Sequence, residues 1–121
     1  MDKAQVIHAF WSSFDLPAYD ENTVPDDAET PYITYNVSTG SIGDVVLLTG
    51  SLFYRSPSWD AITQKAKEIE EAVTHSDIPA FKVNGGRAYF TKGAPFSQRM
   101  ADPDPDVRRI VINVMAEFLT N

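Results

Sequence analysis

The stretch that most constrains this chain is residues 56–75. Trp59, Ile62, Ala66, Ile69 and Val73 recur at spacings of three and four, which lines them along one stripe of an α-helix, and the opposite face is polar. Ser56 is placed to act as N-cap, Pro57 suits a first helical position because its missing N–H would be unpaired there, and Asp60 falls in the first turn, where the helix dipole favours an anion. Pro79 closes the far side. Burying each large member of the stripe contributes roughly 1.5–3 kcal/mol, far more than a surface pair such as Lys65 with Glu68. The helix must therefore lie on an apolar surface that the rest of the chain supplies.

Strand-like segments can supply it. Residues 32–37 are β-branched and aromatic, and residues 45–55 are apolar on both faces at their start, with Gly50 marking a bulge or a close backbone approach. Residues 78–83 and 87–91 flank Asn84, Gly85 and Gly86, a composition suited to a tight hairpin turn. In residues 107–119 the alternation sets Ile110, Ile112, Val114, Ala116 and Phe118 on one face and Val111, Asn113, Met115, Glu117 and Leu119 on the other. That second, mixed face reads as partly covered by another subunit or by a helix at residues 2–14, whose stripe is Val6, Ile7, Phe10, Trp11 and Phe14. The expected architecture is α+β. A mixed or antiparallel sheet of four to five strands carries two helices, in the order helix, strand, strand, helix, hairpin, strand, within one domain spanning residues 1–121.

Two connections are expected to be long, exposed loops. Residues 16–30 are rich in Pro, Asp, Glu, Asn and Thr; Asp20, Glu21, Asp26, Asp27 and Glu29 lack the alternating ligands and central glycine of a calcium loop, so a solvated arm available to a partner is the better reading. Residues 91–106 hold Gly93, Pro95, Pro103 and Pro105 together with Phe96, Arg99 and Met100, which either tuck onto the core or await a neighbour. In the run Asp102-Pro103-Asp104-Pro105-Asp106 proline separates the carboxylates, which favours turns over a metal cluster.

No catalytic constellation emerges. His8 and His75 sit in helical contexts, the serines at 12, 13, 56, 58 and 97 belong to no triad or elbow motif, and the glycines fit no phosphate-binding fingerprint, so neither an enzyme nor a cofactor is expected. The chain has no cysteine, hence no disulfide and no thiolate metal site. No apolar run reaches the ~20 residues of a membrane span, and no basic segment followed by an apolar core opens the chain, so neither an anchor nor an export signal is expected. A formal charge of −7 opposes tight binding to phosphate backbones.

Particular strings go further. Pro31-Tyr32-Ile33-Thr34-Tyr35, Tyr54-Arg55-Ser56-Pro57-Ser58-Trp59, the Gly85-Gly86 hairpin, Lys92-Gly93-Ala94-Pro95 through Gln98-Arg99-Met100, and Arg108-Arg109-Ile110 leading to Glu117-Phe118-Leu119 follow one another over nearly the whole chain. In that order the chain resembles the tail terminator or tail-completion proteins of long-tailed bacteriophages, also described as minor tail or head–tail joining proteins.

The resemblance implies a structural virion protein, assembled in the host cytoplasm, that forms a ring, usually a hexamer, on the head-proximal end of the tail tube. Such a ring stops tube growth, presents a surface to the head connector and lets DNA pass without specific binding; no membrane is involved. A head-to-tail ring contact joins two different patches on each subunit. The acidic arm with Asp20, Glu21, Asp26 and Asp27 and the segment with Lys92, Phe96, Arg99 and Met100 are opposite in sign, and are the expected interface with neighbouring subunits or the tube. The alternatives are another neck component, such as a head-completion or adaptor protein, and a monomeric ligand-binding or regulatory domain.

Overall fold

The computed structural model describes residues 2–40, 44–74, 81–83 and 86–119. His75, Ile78, Pro79, Asn84, Gly85 and Gly43 lie outside them, and with them the tip of the expected hairpin. The described elements are α1 (Lys3–Ser12), β1 (Ala18–Asp20), β2 (Tyr32–Tyr35), β3 (Val45–Arg55), α2 (Asp60–Thr74), β4 (Phe81–Val83), β5 (Gly86–Met100) and β6 (Val107–Leu119). They form an α+β fold whose single mixed sheet has six strands in the order β1-β2-β3-β6-β5-β4. Every pairing is antiparallel except β1 with β2.

Both helices pack on one face of this sheet, the inner face. From α1, Val6, Ile7, Phe10 and Trp11 are fully buried; from α2 come Ile62, Ala66, Ile69 and Val73, the stripe read from the sequence. They meet Ile33, Leu48, Leu52 and, from β6, Ile110, Ile112, Val114, Ala116 and Phe118, all buried. Phe10 stacks on Phe90 at 4.1 Å between ring centroids, and Lys3 Nζ lies 5.6 Å above the Phe118 ring, so α1 is on the same side as α2. The N-terminal helix therefore does not cover the second face of β6, contrary to one of the two expectations for it. Its wide, aromatic stripe seats instead on the inner face, where Phe10 stacks on Phe90.

Gly50 explains how Trp11 fits. A Cβ at that position would stand 2.6 Å from the indole Cη2, so the bare backbone of β3 is the seat of the ring. Of the two sequence readings of this glycine, close approach is the one observed, since the β3 register against β6 is unbroken.

The helix ends follow capping chemistry. Asp2 caps α1, accepting from Gln5 N–H at 2.8 Å while Gln5 Oε1 accepts from Asp2 N–H at 2.9 Å, a reciprocal box. For α2 the sequence places the start too early. The first helical residue is Asp60; Ser56 and Ser58 hydroxyls instead accept from the N–H groups two residues on, at 3.1 and 3.0 Å, and Pro57 sits in that turn. Serine hydroxyls satisfy such turns as readily as a helix cap, which is why the two readings look alike in the sequence.

The two expected loops are corrected. Residues 16–30 contain β1, held parallel to β2 through Ala18↔Ile33, Tyr19↔Thr34 and Asp20↔Tyr35. Residues 91–100 belong to β5 rather than to a loop, and only 101–106 remain irregular. Between Lys92↔Val114 and Ser97↔Ile112, β5 advances five residues while β6 advances two, a large bulge that hides strand character from any period-two pattern. Gly93 enters it because a Cβ would lie 2.9 Å from the Asn113 backbone oxygen, and Asn113 Nδ2 donates to Pro95 O at 3.0 Å. The Asn113 Oδ1 accepts from Thr49 Oγ1 at 3.0 Å, so one amide ties the bulge to β3 across β6.

Candidate functional site

With both helices on one side, the outer face of the sheet is left without a helix among the described residues. Cross-strand register puts Val45, Leu47, Thr49, Ser51, Phe53 and Arg55 of β3 beside Glu117, Met115, Asn113, Val111, Arg109 and Val107 of β6 on this face. Five large apolar side chains stand exposed here: Val45 at 52%, Leu47 at 50%, Tyr89 at 44%, Met100 at 40% and Leu119 at 40%. Val45, Leu47, Tyr89 and Leu119 cluster at one end, since Val45↔Glu117 and Tyr89↔Glu117 are the same row and Leu119 lies two positions beyond. Sequence reasoning marked residues 45–55 as apolar on both faces at their start and placed Leu119 on the mixed face of the last strand, but did not single out Val45, Leu47 or Tyr89; the signal available was the parity that separates Val45 and Leu47 from buried Leu48.

At the other end of the outer face a cleft of about 570 Å3 opens between the acidic arm and the turn after β5, lined in part by Glu29, Tyr32, Phe53, Arg55, Asp102 and Asp104. Tyr32 and Phe53 stack at 5.2 Å, and Arg109 lies 5.2 Å over the Phe53 ring. The Asp-Pro run is built of turns: Asp102 Oδ1 accepts from Asp104 N–H at 3.0 Å and Asp104 Oδ1 from Asp106 N–H at 2.9 Å. Arg55 Nη2 pairs with Asp104 Oδ2 at 2.7 Å. The bond from the Asp106 N–H and the Arg55 guanidinium hold the Asp104 carboxyl below the ordinary carboxylate range. Arg108 clamps this turn to the start of α2, donating to Pro105 O at 3.0 Å and Pro57 O at 3.1 Å.

The residues expected at an interface are dispersed. Asp20 ends β1, its Oδ1 accepting from Asn22 N–H at 2.9 Å; its charge, after the larger effect of burial, helps push the Tyr35 hydroxyl above its ordinary range. Glu21, Asp26 and Asp27 are exposed on the arm, where Ala28 N–H donates to Pro25 O at 3.1 Å. Lys92 is exposed and pairs with Glu70 of α2 at 3.3 Å. Phe96 is corrected: it is 91% buried within the subunit's own core and is no free contact. Its bulge carries it over the apolar sheet, where burial outweighs any gain from a loop conformation. Arg99 lies 4.6 Å over the Trp59 ring, with Arg108 at 5.5 Å from the same ring, a stack the sequence did not reveal. Met100 is exposed on the outer face.

Asp20 on β1 does not reach Arg99 on β5 inside one subunit. Three strands separate β1 from β5, and at about 4.8 Å per spacing that is roughly 19 Å. His8 Nδ1 lies 2.7 Å from the Tyr35 hydroxyl. No group of three or more metal-ligating side chains occurs among the described residues, and no helix there is long and apolar enough to cross a membrane.

No family model and no curated protein sequence matches the chain. Among solved structures, a chain in the virion of a native gene transfer agent particle matches with a TM-score of 0.56 at 16% identity, covering 92% of this chain and 82% of that one. The two chains share a fold. At this identity the likeness speaks for the path of the backbone, not for individual side chains.

Proposed function

We propose that this chain is a structural protein of a phage-like virion and, within it, the tail terminator: a ring, hexameric by the resemblance, that caps the head-proximal end of the tail tube. One observation carries the reading, namely that the fold recurs over 92% of the chain in a subunit of a gene transfer agent virion. The ordered strings from Pro31 to Leu119 supply the finer assignment. A two-layer subunit with one sheet face open suits it, because a capping ring needs a surface for the tube end and another that refuses the next tube ring. The acidic balance of −7 suits a DNA conduit, since repulsion keeps phosphates mobile where a ring of lysines would hold them. The partners are other copies of the chain, the tube protein and the head connector.

Electron microscopy of particles assembled without this chain tests the assignment. Over-long, headless tails are the expected result. Tails of normal length joined to heads overturn it, and tails of normal length without heads move the chain to a neck position. No side-chain cluster described above performs chemistry in this reading; the work is done by matched surfaces.

A further inference from the structure

The two ends of the sheet are unfinished at the same height. Following the registered rows across the strands, Ala18 aligns with Ile33, Leu52, Ile110 and Arg99; Tyr19 with Thr34, Ser51, Val111 and Gln98; Asp20 with Tyr35, Gly50, Ile112 and Ser97. At one end, no strand pairs beyond β1 among the described residues. At the other, β4 pairs with β5 only from Gly86 to Ala88, so the edge at residues 97–99 has no partner strand among them either. All four residues from 97 to 100 are exposed, although they belong to a strand. Open edges of this kind are templates for strand addition.

From these rows we infer that β1 of one copy adds to the β5 edge of the next, continuing the sheet from subunit to subunit. This rests on the ring reading above and names the contact that reading leaves open. Strand directions fit: the rows run 18, 19, 20 against 99, 98, 97, so the junction is antiparallel like most of the sheet. The faces fit as well. Asp20 and Arg99 both lie on the inner-face side of their strands, and Tyr19 and Gln98 both on the outer.

Charge is complementary across the junction. Arg99 has no carboxylate partner among the described residues, and Lys67 is exposed beside it on a cleft of about 360 Å3 between α2 and β5. Asp20 and Glu21 have no cationic partner there. In the aligned pairing Asp20 faces Ser97 directly and reaches Arg99 diagonally, within range of a long side chain. The contact joins two different edges, so it is heterologous and closes only in a ring or runs on as a filament.

The chain has no cysteine, which makes engineered cross-links clean. Tyr19→Cys and Gln98→Cys proteins are mixed under mild oxidation, with and without tail tubes, and Tyr19→Cys with Glu71→Cys on exposed α2 serves as control. A disulfide-linked heterodimer well above the control is expected, because paired strands bring Cα atoms within the ~4.4–6.8 Å a disulfide requires, whereas the two sites in a single copy are roughly 19 Å apart. In the same assay Arg99→Asp, or Asp20→Arg, lowers the yield by up to about fivefold per contact, and mixing the two restores it. No enrichment over the control in either condition overturns the inference, as does undiminished yield from both charge variants. Tube capping without cross-links leaves the terminator reading standing and removes this contact; cross-links without capping do the reverse.

Discussion

The inner and outer faces of the sheet come from the same strands, often from adjacent residues, yet they are governed by different physics. On β6, Ile110, Ile112, Val114, Ala116 and Phe118 are buried under two helices, while their neighbours Val111, Asn113, Met115 and Glu117 are half-exposed and Leu119 is exposed. On β3, Leu48 and Leu52 are fully buried, and Val45 and Leu47 stand half in water. The inner face is complete within one subunit. The outer face has the apolar content of a surface to be covered, with no element among the described residues to cover it. On the proposed reading, the difference separates what the subunit needs in order to fold from what it retains for contact with others.

A charge placed on each face tests that separation most sharply. Ile112→Asp or Ile69→Asp buries an unpaired carboxylate and should destabilise by more than about 4 kcal/mol, enough to unfold a domain of this size. Leu47→Asp, on the opposite face, should change subunit stability by no more than about 0.5 kcal/mol and impair assembly instead. Denaturant unfolding of the isolated proteins reads both. If Leu47→Asp unfolds the subunit as Ile112→Asp does, the outer face is part of the core and the distinction fails.

The next effect concerns the fit of the inner face. Gly50→Ala sets a methyl 2.6 Å from the Trp11 ring where none can be accommodated, and should cost about 1–3 kcal/mol. In a double-mutant cycle with Trp11→Phe, the penalty should fall below the sum of the two single changes, because the smaller ring vacates the space. Additive effects would mean that α1 does not seat on β3 through this contact.

These two layers were not equally legible in the sequence. The α2 stripe, the α1 stripe and the alternation of β6 were readable because burial on one face imposes a period, and those residues are buried as expected except Trp59, which lies just before α2 and is half-buried. The second half of β5 was not, since three extra residues around Gly93 and Pro95 break the period and proline and glycine there read as a loop. β1 is three residues long, too short to carry a pattern. Phe96 looked like an unclaimed contact for the same reason. Its burial depends on a bulge held by Asn113, a long-range arrangement that no local window contains. Likewise the Arg99, Trp59 and Arg108 stack joins three elements that only the folded sheet brings together.

The smallest effect is expected where the outer face meets solvent, at the Arg55–Asp104 pair, whose side chains are 56% and 39% exposed. The Asp104 carboxyl is held below its ordinary range first by the Asp106 N–H and then by Arg55. A carboxyl lowered in the folded state contributes stability that is fully present above its unfolded pKa and is lost as pH falls through the folded one. Melting temperature should therefore decline on the acid side in the wild type, and Asp104→Asn should flatten that part of the decline while leaving values near neutrality almost unchanged. Both groups are solvated, so salt should reduce the difference between the two profiles. A large loss at neutral pH on Asp104→Asn would instead make this turn a structural support of the outer face, and would move the boundary between the two faces toward the arm at residues 28–30.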